Sequence, residues 1–301
     1  MNYSVSHTTK YSYSEAVPVC HNLVHLAPRA LPNQVCEEFR LLIHPEPFAV
    51  TYAKDYFGND VSFFAISQTH LGLTVTANSR VAGAPMPEVV PSSTVPWEQM
   101  AGQLRTARAP DVLDAYQYVF DSTSVKRFAA LQDYVKPSFP DRRPILEGVI
   151  DLTARIHSDF KYDPRATTVH TPIEEVFEQR HGVCQDFAHL QIGCLRSIGL
   201  AARYVSGYLR TEPPPGKPRL VGSDASHAWL AVYCGPAGWI GVDPTNNVLA
   251  STDHITVGWG RDYNDVCPIQ GVIIGGGEHR MTVEVDVAPP ETPPEPVPTV
   301  N

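Results

Sequence analysis

The sequence predicts an α+β fold: an N-terminal antiparallel β-sandwich over residues 1–83, a Pro-rich linker and helical connector over 84–143, then a helix followed by antiparallel strands over 144–287. Three observations predict it. Apolar residues alternate with period two up to Val81, prolines cluster at 85, 87, 91 and 96, and a 3.6-residue periodicity runs from Pro144 to Gly199 before strand-like runs resume.

Taken in order, Tyr3, Val5 and His7 alternate in a first strand, followed by Phe39, Leu41 and Ile43, then Val61 and Phe63, then Leu71, Leu73 and Val75. The run Phe57-Gly58-Asn59-Asp60 carries turn chemistry between them. Beyond the proline cluster, Val112, Tyr116, Val119 and Phe120 are spaced for one short helix, and Val125, Phe128, Ala129 and Leu131 for a second. Pro144 is a favourable first-turn residue for a helix presenting Ile145, Val149, Leu152 and Ile156 on one face. Thr171-Pro172 opens another, with Ile173, Val176 and Phe177.

A further helix is expected to begin at Cys184, with Phe187, Leu190, Cys194, Leu195 and Ile198 facing a core and Gly199 as its stop. Residues 201–209, 226–234 and 239–243 read as strands, with Pro213-Pro214-Pro215-Gly216 as an exposed loop and Gly235-Pro236-Ala237-Gly238 as a tight connection. Gly275-Gly276-Gly277 lacks the Lys-Ser/Thr of a phosphate loop and is expected to turn into a last strand over 281–287. The tail over 288–301, rich in Pro, Glu and Thr, is expected to be disordered.

Composition narrows the function. The 301 residues are 43% hydrophobic with a formal charge of −9 and no Lys/Arg run, so nucleic acid is not an expected partner. Residues 1–10 lack the basic-then-apolar pattern of a signal peptide, and no stretch approaches the roughly 18 apolar residues of a membrane span, so a cytoplasmic protein without membrane contact is expected. Six cysteines without a CxxC pair suggest reduced, mostly buried thiols, a Cys20–Cys36 bond being the less favoured alternative. His170, His181 and His279 fit no standard ligand spacing, so neither a metal nor any other cofactor is expected.

Cys184 alone has a chemical context. It sits where the Gly182 turn hands over to a helix, and a helix N-terminus offers partial positive charge and unpaired N–H groups that favour a thiolate. His227 and Asp243 follow 43 and then 16 residues on, each on a strand, giving a nucleophile, an imidazole base and a carboxylate to orient it. A turn centred on Gly235 makes Asp243 face His227 directly, whereas one centred between Pro236 and Ala237 puts it opposite Leu230 on the wrong side; the first register is expected. The Cys184 N–H is an expected oxyanion donor.

The segments Gly182 to His189, Ala201 to Tyr208, Ser226-His227-Ala228-Trp229 and Gly238 to Asn246 together resemble the bacterial transglutaminase-like cysteine enzymes. Tyr11-Ser12-Tyr13 and Asp55-Tyr56-Phe57-Gly58-Asn59 are similar to the N-terminal region attached to them. The resemblance implies a papain-like transglutaminase core, a Cys-bearing helix packed on an antiparallel sheet, with Cys184, His227 and Asp243 mapped onto the family triad. It also implies that the polar segment Gly260 to Val266, including Asp262, Tyr263 and Asp265, lies near the cleft. Gln185, Asp186, Trp229 and Tyr263 are candidate substrate-binding or oxyanion groups, although Asp186 at a first turn also serves as a dipole partner and Trp229 as a core aromatic. The expected chemistry is acyl transfer through a thioester at an amide or isopeptide bond of a peptide or protein. Hydrolysis is favoured because water is present at molar concentration. Protein-glutamine transamidation and a non-catalytic protein-binding scaffold are the alternatives.

Overall fold

The computed structural model describes residues 1–106, 108–211 and 226–289. The expected loop at 213–216 and nearly all of the expected disordered tail lie outside them. Six strands come first: β1 (Asn2–Val17), β2 (Val19–Val24), β3 (Gln34–His44), β4 (Val50–Lys54), β5 (Asp60–Ile66) and β6 (His70–Gly83). Helices α1 (Trp97–Thr106), α2 (Pro110–Tyr116), α3 (Ala129–Val135), α4 (Ile145–Asp159), α5 (Ile173–Gln179) and α6 (Cys184–Ser197) follow, with a small parallel bridge between β7 (Lys161–Tyr162) and β8 (His181–Gly182). The remaining strands are β9 (Ala202–Leu209), β10 (Ser226–Tyr233), β11 (Trp239–Asp243), β12 (Val248–Leu249), β13 (His254–Gly260), β14 (Ile269–Ile274) and β15 (His279–Ala288).

The sandwich consists of two four-stranded antiparallel sheets, ordered β15-β1-β6-β3 and β14-β2-β5-β4. Each therefore takes one strand from the chain's far end, so the unit expected over residues 1–83 is completed by residues 269–288, of which 269–287 were expected in the second unit and 288 in the tail. Pairing across some 270 positions leaves no local trace, because an edge strand carries the same alternation whichever sheet it joins. Gly275, Gly276 and Gly277 all have positive φ and close the β14–β15 turn, a conformation glycine adopts without a Cβ clash. Val17, Cys20, Phe64, Leu73 and Val75 fill the space between the sheets; on β5 it is Phe64 that points inward, while Phe63 is exposed.

The second unit is one sheet of order β12-β11-β10-β9-β13 with helices against one face. The 84–143 connector is part of this core: α1, which stands where a linker was expected, buries Met100 and Leu104, and α3 buries Leu131 and Val135 beside α4 and α6. Pro96 precedes α1 without entering it, which explains why a proline cluster concealed a helix. Helix α6 is enclosed from Gln185 to Arg196. Arg196 at its end is wholly buried and donates to the carbonyls of Tyr118, Ala202 and Arg261 and to Ser122 Oγ, so one guanidinium ties three connections to the helix.

Tyr3, Val5, Val81, Val285 and Val287 of the sandwich form one buried cluster with Tyr208, Ile255 and Val257 of β9 and β13. The sandwich is thus seated directly on the sheet that carries His227.

Candidate active site

Cys184 is the first residue of α6, as the Gly182 turn and the apolar spacing predicted. Asp186 defines that start: its Oδ2 accepts from the Val183 N–H at 2.8 Å and from Thr167 Oγ1 at 2.6 Å. A Cβ on Gly182 would lie 2.7 Å from the same oxygen, so glycine is needed for the carboxylate to fold back. Burial raises the Asp186 pKa, and the two donors partly offset the shift. The N–H groups of Cys184 and Gln185 belong to the first turn and have no intrahelical acceptor.

His227 opens β10 and Asp243 ends β11. The ladder pairs Tyr233 with Trp239 and Leu230 with Val242, so the connection centres on Pro236. Neither expected register holds. Gly238, at φ 73, closes a short 3-10 turn over Gly235–Ala237, so the connection holds two more residues than one centred on Gly235. Continued, that ladder sets Asp243 across from Trp229, on the same face as His227 and diagonal to it, a separation the two side chains span.

His227 Nε2 lies 2.7 Å from Asp243 Oδ2, which leaves Nδ1 for Cys184 across the cavity that both residues line. Burial disfavours the imidazolium, but the Asp243 carboxylate and the nearby Cys184 sulfur outweigh it and raise the His227 pKa to about 10. Asp243 is fully buried, and burial alone would raise its pKa. Its Oδ2 instead accepts from His227, from His254 Nε2 at 3.2 Å and from Asn246 Nδ2 at 2.7 Å, while Oδ1 takes the N–H groups of Thr245 and Asn246. These donors hold the carboxyl well below the usual carboxylate range.

His254 and Asn246 were not singled out in the sequence. A signal existed: Ile255, Val257 and Trp259 alternate after His254, the mark of the strand β13. Two imidazoles around one carboxylate also form a possible donor set for a metal. The 2.7 Å separation of His227 Nε2 and Asp243 Oδ2 is that of a hydrogen bond, whereas two ligands about 2 Å from a tetrahedral zinc lie about 3.3 Å apart.

The other candidates divide. Trp229 is buried on the far side of His227, ring-stacked on it at 6.1 Å and edge-on to His254 at 5.2 Å, so it braces the imidazoles and does not line the cleft. Gln185 lines the cleft, with Nε2 donating to the Val169 carbonyl at 3.3 Å. Tyr263 also lines it, its backbone N–H donating to His189 Nε2 at 3.1 Å. Asp262 is buried and accepts from the Ser124 N–H, and Asp265 pairs with Arg261, so both carboxylates hold their loop.

Cys184 and His227 open on a cavity of about 260 Å³. Its other wall comes from the sandwich: His7, Thr9 and Tyr11 of β1, and Met281 and Val283 of β15. All six cysteines are unpaired, and Cys267 lines the same cavity. Among the described residues no helix is long and apolar enough to cross a membrane.

Residues 3–82 match the bacterial transglutaminase-like N-terminal region, and residues 132–244 match the transglutaminase-like superfamily. An uncharacterised Mycobacterium tuberculosis protein is 42% identical over 295 residues, covering 95% of this chain and 92% of its own. A Mycobacterium leprae protein is 33% identical over 286 residues, covering 94% and 97%. A Cytophaga hutchinsonii structure, assigned provisionally as a cysteine protease, superimposes with a TM-score of 0.74 at 18% identity, covering 97% of this chain and 92% of that one, and so shares the fold. The β-sandwich, the Cys-bearing helix on an antiparallel sheet and these matches all agree: this chain belongs to the transglutaminase-like superfamily and carries its bacterial N-terminal region.

Proposed function

We propose that the protein is a cysteine acyl-transfer enzyme that cleaves an amide or isopeptide bond of a peptide or protein through a thioester on Cys184. The observation that carries the reading is that Cys184 and His227 line one cavity while His227 Nε2 lies 2.7 Å from Asp243 Oδ2, leaving Nδ1 for the sulfur. The Cys184 proton passes to His227 Nδ1, and the imidazolium is stabilised by Asp243, which stays ionised. The thiolate attacks the acyl carbon, and the developing oxyanion is met by N–H groups at the start of α6. Collapse breaks the C–N bond, His227 protonates the departing amine, and a water activated by His227 hydrolyses the thioester, restoring the thiol.

Hydrolysis is favoured over transfer to an amine. Among the described residues lining the cavity there is no Asp or Glu to hold a lysine ammonium, and water is abundant. Transamidation is the second reading. It is favoured by a Pseudomonas aeruginosa protein-glutamine gamma-glutamyltransferase that is 33% identical over 105 residues, covering 32% of this chain but 16% of that protein. A reducing, cytoplasmic setting is part of the proposal, since six unpaired thiols persist there. The test is site-mapped iodoacetamide labelling of wild type and His227→Ala, followed by assays for ammonia or new termini against incorporation of a fluorescent amine. Labelling that favours Cys184 and collapses in the variant supports the enzyme. Labelling of Cys184 no faster than of Cys36, and indifferent to His227, leaves a binding scaffold instead.

A further inference from the structure

The strands that close the cavity opposite Cys184 pair residue for residue. Thr9 faces Val283 and Tyr11 faces Met281 across the β1–β15 ladder, and all four side chains line the cavity, with Ile269 of β14 beside them. The polar side-chain atoms of His7 and Thr9 in this wall are occupied: His7 Nε2 lies 3.0 Å from Thr9 Oγ1, and His7 Nδ1 lies 3.1 Å from Tyr208 OH. Burial pushes the His7 pKa down to about 4, so at neutral pH the ring is uncharged. Among the described residues lining the cavity there is no Asp, Glu, Lys or Arg. Yet Met281 is 54% exposed, Val283 44% and Val169 47%, so an apolar rim stands in water around the sulfur.

A charged substrate group seated on this wall would lose hydration without meeting an Asp, Glu, Lys or Arg among the described residues that line it. An apolar group would cover Met281 and Val283 and gain from the area removed from water, and the flexible Met281 adapts to its shape. We infer that the β1/β15 face of the N-terminal sandwich is a substrate subsite that takes an uncharged apolar or aromatic side chain next to the bond attacked by Cys184. The substrate class is therefore a peptide with an apolar residue at that bond, and the sandwich is a specificity element. This inference rests on Cys184 being the nucleophile.

The test needs no knowledge of the natural substrate. The intact protein is alkylated with chloroacetamides bearing benzyl, aminoethyl or carboxymethyl groups, and the rate at Cys184 is mapped by mass spectrometry and normalised to glutathione. Wild type should react about tenfold or more faster with the benzyl probe than with either charged one. In Val283→Asp and Met281→Glu that preference should shrink and the aminoethyl probe should gain. Both positions are half-exposed, so the variants should retain the wild-type melting curve, which is measured in parallel. Equal normalised rates for the three probes in wild type, or a benzyl preference unchanged in both variants, overturns the subsite. Iodoacetamide reacting at Cys184 no faster than at Cys36 sinks the nucleophile reading itself, so the two failures are distinct.

Discussion

His254 donates its Nε2 hydrogen to Oδ2 of Asp243 at 3.2 Å, the same oxygen that His227 holds at 2.7 Å. The tautomer is fixed from behind, because the Ser251 N–H donates to His254 Nδ1 at 3.1 Å and that nitrogen must accept. A neutral second imidazole thus stabilises the carboxylate that stabilises the first. The arrangement spans the sheet: His227 lines the cavity with Cys184, and Trp229 packs against both rings.

Removing the His254 donor should therefore leave Asp243 less firmly placed and bound more strongly to the His227 cation. In His254→Phe, Asp243 loses one of its donors but stays ionised, its Oδ2 becomes the stronger acceptor for His227, and the His227 titration should move up from about 10. Acyl transfer should fall about tenfold, the effect of one charge-assisted hydrogen bond. Imidazole NMR against pH gives the midpoint directly. An unmoved midpoint would reduce His254 to a packing residue.

The His227–Asp243 pair also predicts a pH window for stability. His227 is raised from 6.5 to about 10 on folding, so its contribution is complete below about pH 6.5 and is lost as pH rises toward 10. Asp243 is depressed from 3.8, so its contribution is present above about pH 4 and is lost as pH falls. Urea denaturation of wild type and His227→Gln should differ most near pH 5 to 6, by on the order of a few kcal/mol, and converge by pH 10.5. A constant difference across that range contradicts the raised pKa.

How much of this was legible depends on how local each signal is. The start of α6 was readable because Gly182, Cys184 and the apolar face of the helix lie within one short segment. The relation of Asp243 to His227 was not, since two residues more or fewer in the connection centred on Pro236 decide between a direct and a diagonal pair. Strand β14 was missed because its burial is partial and Gly271 interrupts the run Ile269 to Ile274. The wall that β15 gives the cavity had no local trace at all, because it exists only through pairing with β1.

Gly182 offers a test of how the nucleophile is aimed. In Gly182→Ala the added methyl would meet Asp186 Oδ2 at 2.7 Å, and relief requires the carboxylate to leave the Val183 N–H. The expected cost is about 1–3 kcal/mol, with a fall in Cys184 labelling rate because the helix start shifts. Asp186→Ala removes the contact with Oδ2 and leaves one at 2.9 Å to its own Cβ, so the double variant should lose somewhat less than the sum of the singles in a double-mutant cycle. Strict additivity would mean that the two residues do not meet.

The last prediction concerns what keeps the sandwich, and with it one wall of the cavity, in place. Asn59 ends the Asp55–Asn59 turn and treats Trp259 as a strand partner: Nδ2 donates to the Trp259 carbonyl at 2.8 Å and Oδ1 accepts the Trp259 N–H at 3.0 Å. Oδ1 also accepts from Arg29 Nη1 at 2.7 Å, and the Arg29 guanidinium lies 3.6 Å from the Trp259 ring centre. Arg203 lies at the same 3.6 Å from that centre, and two guanidinium carbons cannot share one face at that distance, so Trp259 is held between a sandwich cation and a core cation. In Asn59→Ala the Trp259 N–H and carbonyl lose their partner in a half-buried seam, at a cost of about 3 kcal/mol. Asn59→Asp should be no rescue, since its carboxylate cannot donate to the Trp259 carbonyl and stands beside Asp55. Hydrogen exchange should then speed up in β1, β6 and β15 while α6 stays protected, because the core sheet keeps its own helices. Equal acceleration in α6 would mean that sandwich and core unfold as one unit and that Asn59 supports both alike.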